Sequence, residues 1–162
     1  MTLRGAEEFY RVSMAEVSEV TLRLANIEDS ALLLAWRNDQ ETREHSISTQ
    51  KINKFEHDKW LRDSLEDASI KLFIVVSAGK SVGTVRAQKG STGWILSWTV
   101  SPKSRGKNIG YRAVAILVKQ LCGNVLAYIK ANNLASIRIA EKLGMVCKSK
   151  NEETTLWVLS RE

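Results

Sequence analysis

Only one of the 162 residues is proline, Pro102, and only two are cysteine, Cys122 and Cys147. Collagen-like sequence, low-complexity disorder and a disulfide-stapled scaffold are thereby excluded. No window approaches the roughly 18 consecutive apolar residues of a membrane span, and the N-terminus lacks the apolar run of a secretory signal. The reading is of a cytoplasmic protein with no membrane partner. Both thiols lie in apolar periodic segments, so they read as buried core residues rather than a bridge or a metal pair, and no metal site is expected. Acid is also scarce in one place. No Asp or Glu occurs between Asp67 and Glu141, while eleven Lys and Arg do, from Lys71 to Arg138. The net charge of +6 thus divides into +11 in the middle of the chain and −5 elsewhere. Such a block is an electrostatic footprint for an anion: a nucleic acid, a membrane surface or a phosphorylated small molecule.

What is present, 44% hydrophobic residues in a chain of 162, is enough for one α/β domain with a real core. Residues 1–18 read as a weak helix or ordered arm, and residues 19–162 as the domain. Val20 to Ala25 alternates as a strand; Asn26 to Asp29 starts a helix over the apolar run Ala31 to Trp36, which stops near Asn38 and Asp39. A polar stretch follows. Asn53 and Glu56 have capping-box spacing and open a second helix through His57, Trp60, Leu61 and Leu65. Three antiparallel strands come next, Lys71 to Ser77, Val82 to Arg86 and Trp94 to Val100, separated by glycine turns. After a basic loop, Ile109 to Leu121 has helical spacing, Val125 to Lys130 is a strand, Asn133 to Leu143 a helix, and Gly144 its left-handed C′ residue. Met145 to Lys148 and Thr154 to Ser160 make a last strand pair. The sum is about seven mostly antiparallel strands flanked by about four helices.

The loop Ser101 to Gly110 joins a strand end to a helix start. Free backbone N–H groups and the positive end of the helix dipole converge there, and an anion is the natural guest. Gly106 and Gly110 carry no Cβ to block a phosphate, and Arg105 and Lys107 add charge at the rim. A Walker loop is excluded because the Gly-Lys-Ser/Thr ending is missing, and a dinucleotide fingerprint because the preceding strands are antiparallel hairpins.

Arg105-Gly106-Lys107-Asn108-Ile109-Gly110 resembles the acetyl-CoA pyrophosphate loop of the GCN5-related N-acetyltransferases (GNAT), Arg/Gln-x-x-Gly-x-Gly/Ala. Asn133-Leu134-Ala135-Ser136, followed by Glu141-Lys142-Leu143-Gly144-Met145, resembles that family's second motif. The element order matches from Val20 to Ser160. The resemblance implies a GNAT fold and an acetyl-CoA-dependent N-acetyltransferase without a metal, in which acetyl-CoA is the cosubstrate and an amine attacks it directly in a ternary complex. It further implies pantetheine between two splayed strands, touching the backbone of Thr99 and Val100, with pyrophosphate on the amides of Arg105, Gly106, Lys107, Asn108, Ile109 and Gly110. Asn133 and Ser136 would reach the pantetheine arm, Asn133 also serving as a helix N-cap, and the Val100 N–H would polarise the thioester carbonyl. Two departures stand out. Asn108 replaces the central glycine, tolerable because asparagine visits left-handed angles more readily than most residues. Ala140 stands where many members carry the tyrosine that protonates the departing thiolate.

An amine must lose a proton to attack. Many relatives place a glutamate on the central strand, which the acid-free stretch forbids here. The base must then come from the N-terminal helices or the loop between them: Glu56 and His57 first, His57 preferred, with His45, Asp39 and Glu41 behind. A finer resemblance joins Trp36-Arg37-Asn38-Asp39, Arg43, Ser46, Glu56-His57-x-x-Trp60 and Gly83-x-Val85-Arg86 to acetyltransferases of nucleotide-linked 4-amino-sugars in nonulosonic acid pathways, within polysaccharide biosynthesis. It implies Trp36, Arg37, Asn38 and Arg86 as acceptor contacts. Read without it, His57, Trp60 and Leu61 form a plain apolar helix face, and Trp36 and Trp60 pack in the core. A ribosomal-protein type N-terminal acetyltransferase is the second reading, a basic nucleic-acid-binding module the third. The enzyme readings expect no nucleic acid partner and leave a homodimer open.

Overall fold

The structure is a computed structural model and describes residues 18–162. Except for Ser18, the expected N-terminal arm lies outside the described residues. Seven strands form one sheet: β1 (Val20–Leu24), β2 (Ile70–Ser77), β3 (Lys80–Lys89), β4 (Trp94–Val100), β5 (Val125–Lys130), β6 (Val146–Lys150) and β7 (Thr154–Leu159). Their order is β1-β2-β3-β4-β5-β7-β6, and every neighbouring pair is antiparallel except β4 with β5. The helices are α1 (Ser30–Asn38), α2 (Gln40–Glu44), α3 (Lys54–Glu66), α4 (Ile109–Lys119) and α5 (Leu134–Lys142). The mixed sheet and its seven strands are as the sequence implies. The fifth helix, α2, falls in the stretch read as merely polar. Asp39 creates it, accepting from the Thr42 N–H as its N-cap.

Alternation along β2 divides the core. Leu72 and Ile74 pack with Leu33 and Trp36 of α1 and Leu61 of α3, whereas Val75 joins Val85, Ala87 and the buried face of α4, led by Val114 and Leu117. Val76 continues that alternation on the α1 side, and the register shift between Val75 and Val76 places the extra residue, Val82, on β3, where Val82 and Val85 both join the α4 side. The two N-terminal helices thus cover one face of the sheet and α4 the other. Local chemistry fixes the helix ends. Asn53 accepts from the Glu56 N–H at 2.8 Å to start α3, and Arg161 closes α4 by donating to the carbonyls of Val118, Leu121 and Gly123. Gly144 ends α5 at φ 83°.

The cysteines correct the sequence reading. Cys122 and Cys147 are both exposed: the first lies in the turn after α4, and the second on edge strand β6, exposed along its whole length.

Glycine matters most at Gly83. It faces Val100 across the β3–β4 ladder, and a Cβ there would stand 2.5 Å from the Thr99 carbonyl oxygen and 3.3 Å from the Val100 Cα. Gly83→Ala is therefore expected to force β4 away from β3 and to lower stability by about 1–3 kcal/mol, measured by urea unfolding; an unchanged midpoint would mean the strands can part without cost.

Candidate active site

The chemistry sits where the sheet opens. Strands β4 and β5 pair only over Trp94–Leu96 and Val125–Ala127. Beyond Leu96 they diverge, and the backbone of β4 loses its partner on that side. The register states which groups are left over. Ser101 N–H donates to the Val82 carbonyl at 2.8 Å, so those two are a hydrogen-bonded pair. Antiparallel pairs alternate, and Val100, opposite Gly83, turns its N–H and C=O away from β3 into the opening. Trp98 does the same two residues earlier, whereas Thr99 spends its backbone on β3 and offers the opening only its side chain.

At the mouth of this opening is a cleft of about 580 Å³ lined by Thr99, Val100, Arg105, Gly106, Asn108, Ile109 and Gly110, with Asn133 and Ser136 opposite. Among the described residues, the amides of Arg105 to Gly110 donate to no other backbone group, as the first turn of a helix requires. Asn108 holds φ 59° and ψ 19° as N-cap of α4, the left-handed conformation a central glycine would take. Gly106 is left-handed too, at φ 77°, with open space where a Cβ would be. Gly110 has a different reason for being glycine: a Cβ there would come within 2.9 Å of Ile139 Cδ1 and 3.3 Å of Val100 Cγ2, so it serves the packing of α4 on α5 and β4. Lys107 points elsewhere, into a depression shared with Lys103 and Arg112 on the other side of the loop. Two cations of α5, Arg138 and Lys142, join the cleft instead. Lys142 donates to Asn108 Oδ1 at 3.3 Å and lies 4.1 Å from the Tyr111 ring centroid. Ala140 is fully buried in the core, so the position of the family's tyrosine faces away from the cleft. Asn133 caps α5, accepting from the Ser136 N–H at 3.2 Å, and Ser136 Oγ accepts from the Trp98 indole at 3.1 Å.

Arg105 is not free for an anion. Its guanidinium binds Glu41 at 2.6 Å, Asp39 at 2.7 Å and Thr42 Oγ1 at 3.0 Å, which draws Asp39 below the usual carboxylate range, chiefly through that hydrogen bond. The loop is thus tied to α2.

A second cavity, of about 400 Å³, lies on the α1–α3 side of the opening. Trp36, Arg37, His57 and Trp60 form one wall, Thr84 and Arg86 of β3 another, and Tyr128 of β5 a third. Among the described residues, no Asp or Glu lines it. His45, Ser46, Trp98, Thr99, Asn133 and Ser136 line both cavities and mark where they meet. Arg37 Nη1 and Arg86 Nε are buried without a hydrogen-bond partner among the described residues. Burial pulls both guanidiniums below their usual range, with Arg43 adding repulsion at Arg37; both remain cations. His57 is 2% exposed, and burial lowers its pKa more than Asp58 raises it. Two expected residues stand apart. Glu56 is exposed and does not line the cavity. Asn38 gives its amide to Ile52, donating to the carbonyl at 2.8 Å and accepting from the N–H at 2.9 Å, which pins the loop before α3. Among the described residues no three metal-ligating side chains come together, and no helix is long and apolar enough to cross a membrane.

Two outcomes follow from these geometries. The partly exposed Arg105–Asp39 pair should show a coupling of about 0.5–1 kcal/mol in a double-mutant cycle of Arg105→Gln and Asp39→Asn; additive losses would dissolve the tie. His57 titrates lower folded than unfolded, so the unfolded chain gains the proton first. Its contribution is full above pH 6.5 and is lost as pH falls through the folded value. His57→Gln should flatten the fall in stability between pH 6.5 and 5; an identical slope would mean the ring is solvated.

The comparisons agree with this geometry. Residues 19–146 match the family described as acetyltransferase (GNAT) domain. No curated protein matches the chain. Among solved structures, an aminoglycoside acetyltransferase in complex with coenzyme A superposes at TM-score 0.73 with 21% identity, over 88% of this chain and 95% of that one. Spermidine N-acetyltransferase from Vibrio cholerae, bound to CoA and spermine, gives TM-score 0.77 and 13% identity over 87% and 95%. A ribosomal-protein-alanine N-acetyltransferase from Brucella melitensis gives 0.73 and 19% over 87% and 99%. At such identities these likenesses speak for the fold, and the match over residues 19–146 for membership: the chain belongs to the GNAT acetyltransferase domain family.

Proposed function

We propose that this acetyltransferase uses acetyl-CoA to acetylate an amine carried on an anionic molecule, a nucleotide-linked amino-sugar being the best fit. One observation carries the acceptor: a cavity with two arginines, each holding a buried nitrogen without a partner among the described residues, and no carboxylate among the described residues of its walls. An unpaired buried donor is costly, and a phosphate or diphosphate oxygen would satisfy it with a charge-assisted hydrogen bond. The relatives named above act on aminoglycosides, spermidine and ribosomal proteins. A polycation would meet Arg37 and Arg86, the latter offset only by Asp67 outside the cavity lining, and a peptide α-ammonium would find no acidic group among the described lining residues.

Pantetheine enters between β4 and β5 as an extended guest and pairs with the backbone that Trp98 and Val100 leave open. Pyrophosphate takes the amides of residues 105–110, with Arg138 and Lys142 adding charge. The Val100 N–H then faces the thioester carbonyl and stabilises the oxyanion that forms as the amine attacks. His57, neutral near pH 7 because burial lowers its pKa, accepts the proton of the acceptor ammonium.

Thermal shift with millimolar acetyl-CoA should raise the melting temperature; no shift would remove the cosubstrate. Thiol release should then appear with UDP-linked 4-amino-4,6-dideoxy-sugars and not with spermidine or ribosomal N-terminal peptides, and the reverse pattern would overturn the acceptor. Arg37→Ala and Arg86→Ala should each raise KM for the nucleotide-sugar about tenfold or more with little change in kcat, as loss of a charged hydrogen bond implies.

A further inference from the structure

Ser30, the first residue of α1, lies against the Nδ1 side of the His57 ring and is not among the residues that line the cavity. Its Oγ is 3.3 Å from His57 Nδ1 and also donates to Asp58 Oδ1. The inventory of protons fixes the rest. An ionised Asp58 only accepts, so the single hydroxyl proton of Ser30 goes to it. Ser30 Oγ can then meet Nδ1 only as an acceptor, which requires the proton on Nδ1. Nε2, with no partner among the described residues, is left with its lone pair. Asp58 is held ionised by Lys54, with which it pairs one turn along α3, and by the Ser30 hydroxyl.

We infer that Ser30 and Asp58 are positioning residues for acetyl transfer: they fix the His57 tautomer so that Nε2 presents a lone pair to the acceptor amine. The inference rests on the reading of His57 as proton acceptor. Over the reaction the ammonium sheds two protons. The first goes to Nε2 and from the imidazolium to solvent. The amine then forms the C–N bond to the acetyl carbon, the C–S pair departs on the CoA sulfur, and the second proton ends on that sulfur. The imidazolium is tolerable because Nδ1–H remains bonded to Ser30, whose hydroxyl is aligned by the Asp58 charge. The charged and titratable groups facing His57 are Asp58 and Lys54 on its own helix, Arg37 from α1, Arg86 from β3, His45 from the intervening loop and Tyr128 from β5. The cations oppose a proton on the ring and Asp58 favours it, so the relay supplies the one negative charge on its side.

Histidine-¹⁵N NMR of the full chain at pH 8 tests this without an acceptor. His57 should show a protonated Nδ1 and a bare Nε2. Ser30→Ala should lose that preference and Ser30→Thr restore it. In Asp58→Ala the Ser30 proton is released to turn toward Nδ1, so the tautomer should reverse. A bare Nδ1 in the unaltered protein, or no change in either Ser30→Ala or Asp58→Ala, overturns the relay. With UDP-linked 4-amino-sugar as acceptor, Ser30→Ala should lower kcat about tenfold at unchanged KM; a tautomer change without a kcat change would remove its role in transfer. Failure of the underlying reading looks different: His57→Gln would leave kcat intact while the NMR pattern of the unaltered protein stood.

Discussion

Pairing between β4 and β5 stops after Leu96 and Ala127, and most of what distinguishes this site depends on that stop. A strand in the middle of a sheet has both backbone edges bonded, and here β4 keeps β3 along its length but loses β5 for its last four residues. The N–H and C=O groups of Trp98 and Val100 are donors and acceptors in search of a partner. An extended amide-bearing chain is the one guest that satisfies them at strand spacing. Gly83 permits the same end of β4 to sit close on β3, and Trp98, bonded through its indole to Ser136, keeps α5 beside the opening rather than across it. The N-terminus of α4 stands at the mouth, so one place offers both strand pairing and unspent helix amides.

The opening also joins two halves of the chain that differ in charge. The acid-free middle supplies the cleft, and the N-terminal helices supply the carboxylates. Arg105 is the point where they meet, its guanidinium shared among Asp39, Glu41 and Thr42. One consequence is that this arginine adds less field at the cleft than its place in the motif implies, since two anions offset it. Arg138 and Lys142, about one and two turns into α5, line the cleft and add charge there. A second consequence is mechanical: the loop that would hold pyrophosphate and the helix beside the acceptor cavity cannot move independently while the pair is closed. The basic segment is therefore no uniform surface for a polymer, because Arg86 and Arg105 turn inward and are held.

The order of elements, the strand pair at the end and the left-handed turn before α4 were legible because each rests on neighbours in sequence. Alternation shows β4, helical spacing shows α4, and asparagine's tolerance of left-handed angles explains Asn108. What escaped depends on partners far away. Arg105 finds Asp39 across 66 residues, and His57 finds Ser30 across 27; no local pattern contains either. Gly110 looked like a phosphate glycine because the motif places it there, but the contact that excludes a Cβ comes from Ile139 on another helix. Asn38 and Glu56 sit among true cavity residues in sequence, yet helical rotation turns them away. The cysteines misled for a related reason: apolar neighbours along the chain do not bury a residue placed in a turn or on an edge strand.

If His57 on α3 is the base, as proposed, the absence of acid on β4 also determines what that base must do. A glutamate on β4 would have faced the acceptor ammonium as a charge, attracting it and drawing its proton. His57 is neutral, and its cavity holds two cations, so an isolated ammonium gains nothing electrostatic by entering. On the proposed reading the acceptor would bring its own negative charge to offset Arg37 and Arg86, and the amine would then approach a ring able to take its proton. Recognition and deprotonation would be separated: guanidiniums for the anionic part, imidazole for the amine. In a site built on a carboxylate those tasks fall to one group, and any cationic amine of suitable shape is drawn in. Here the walls discriminate by charge before the chemistry begins.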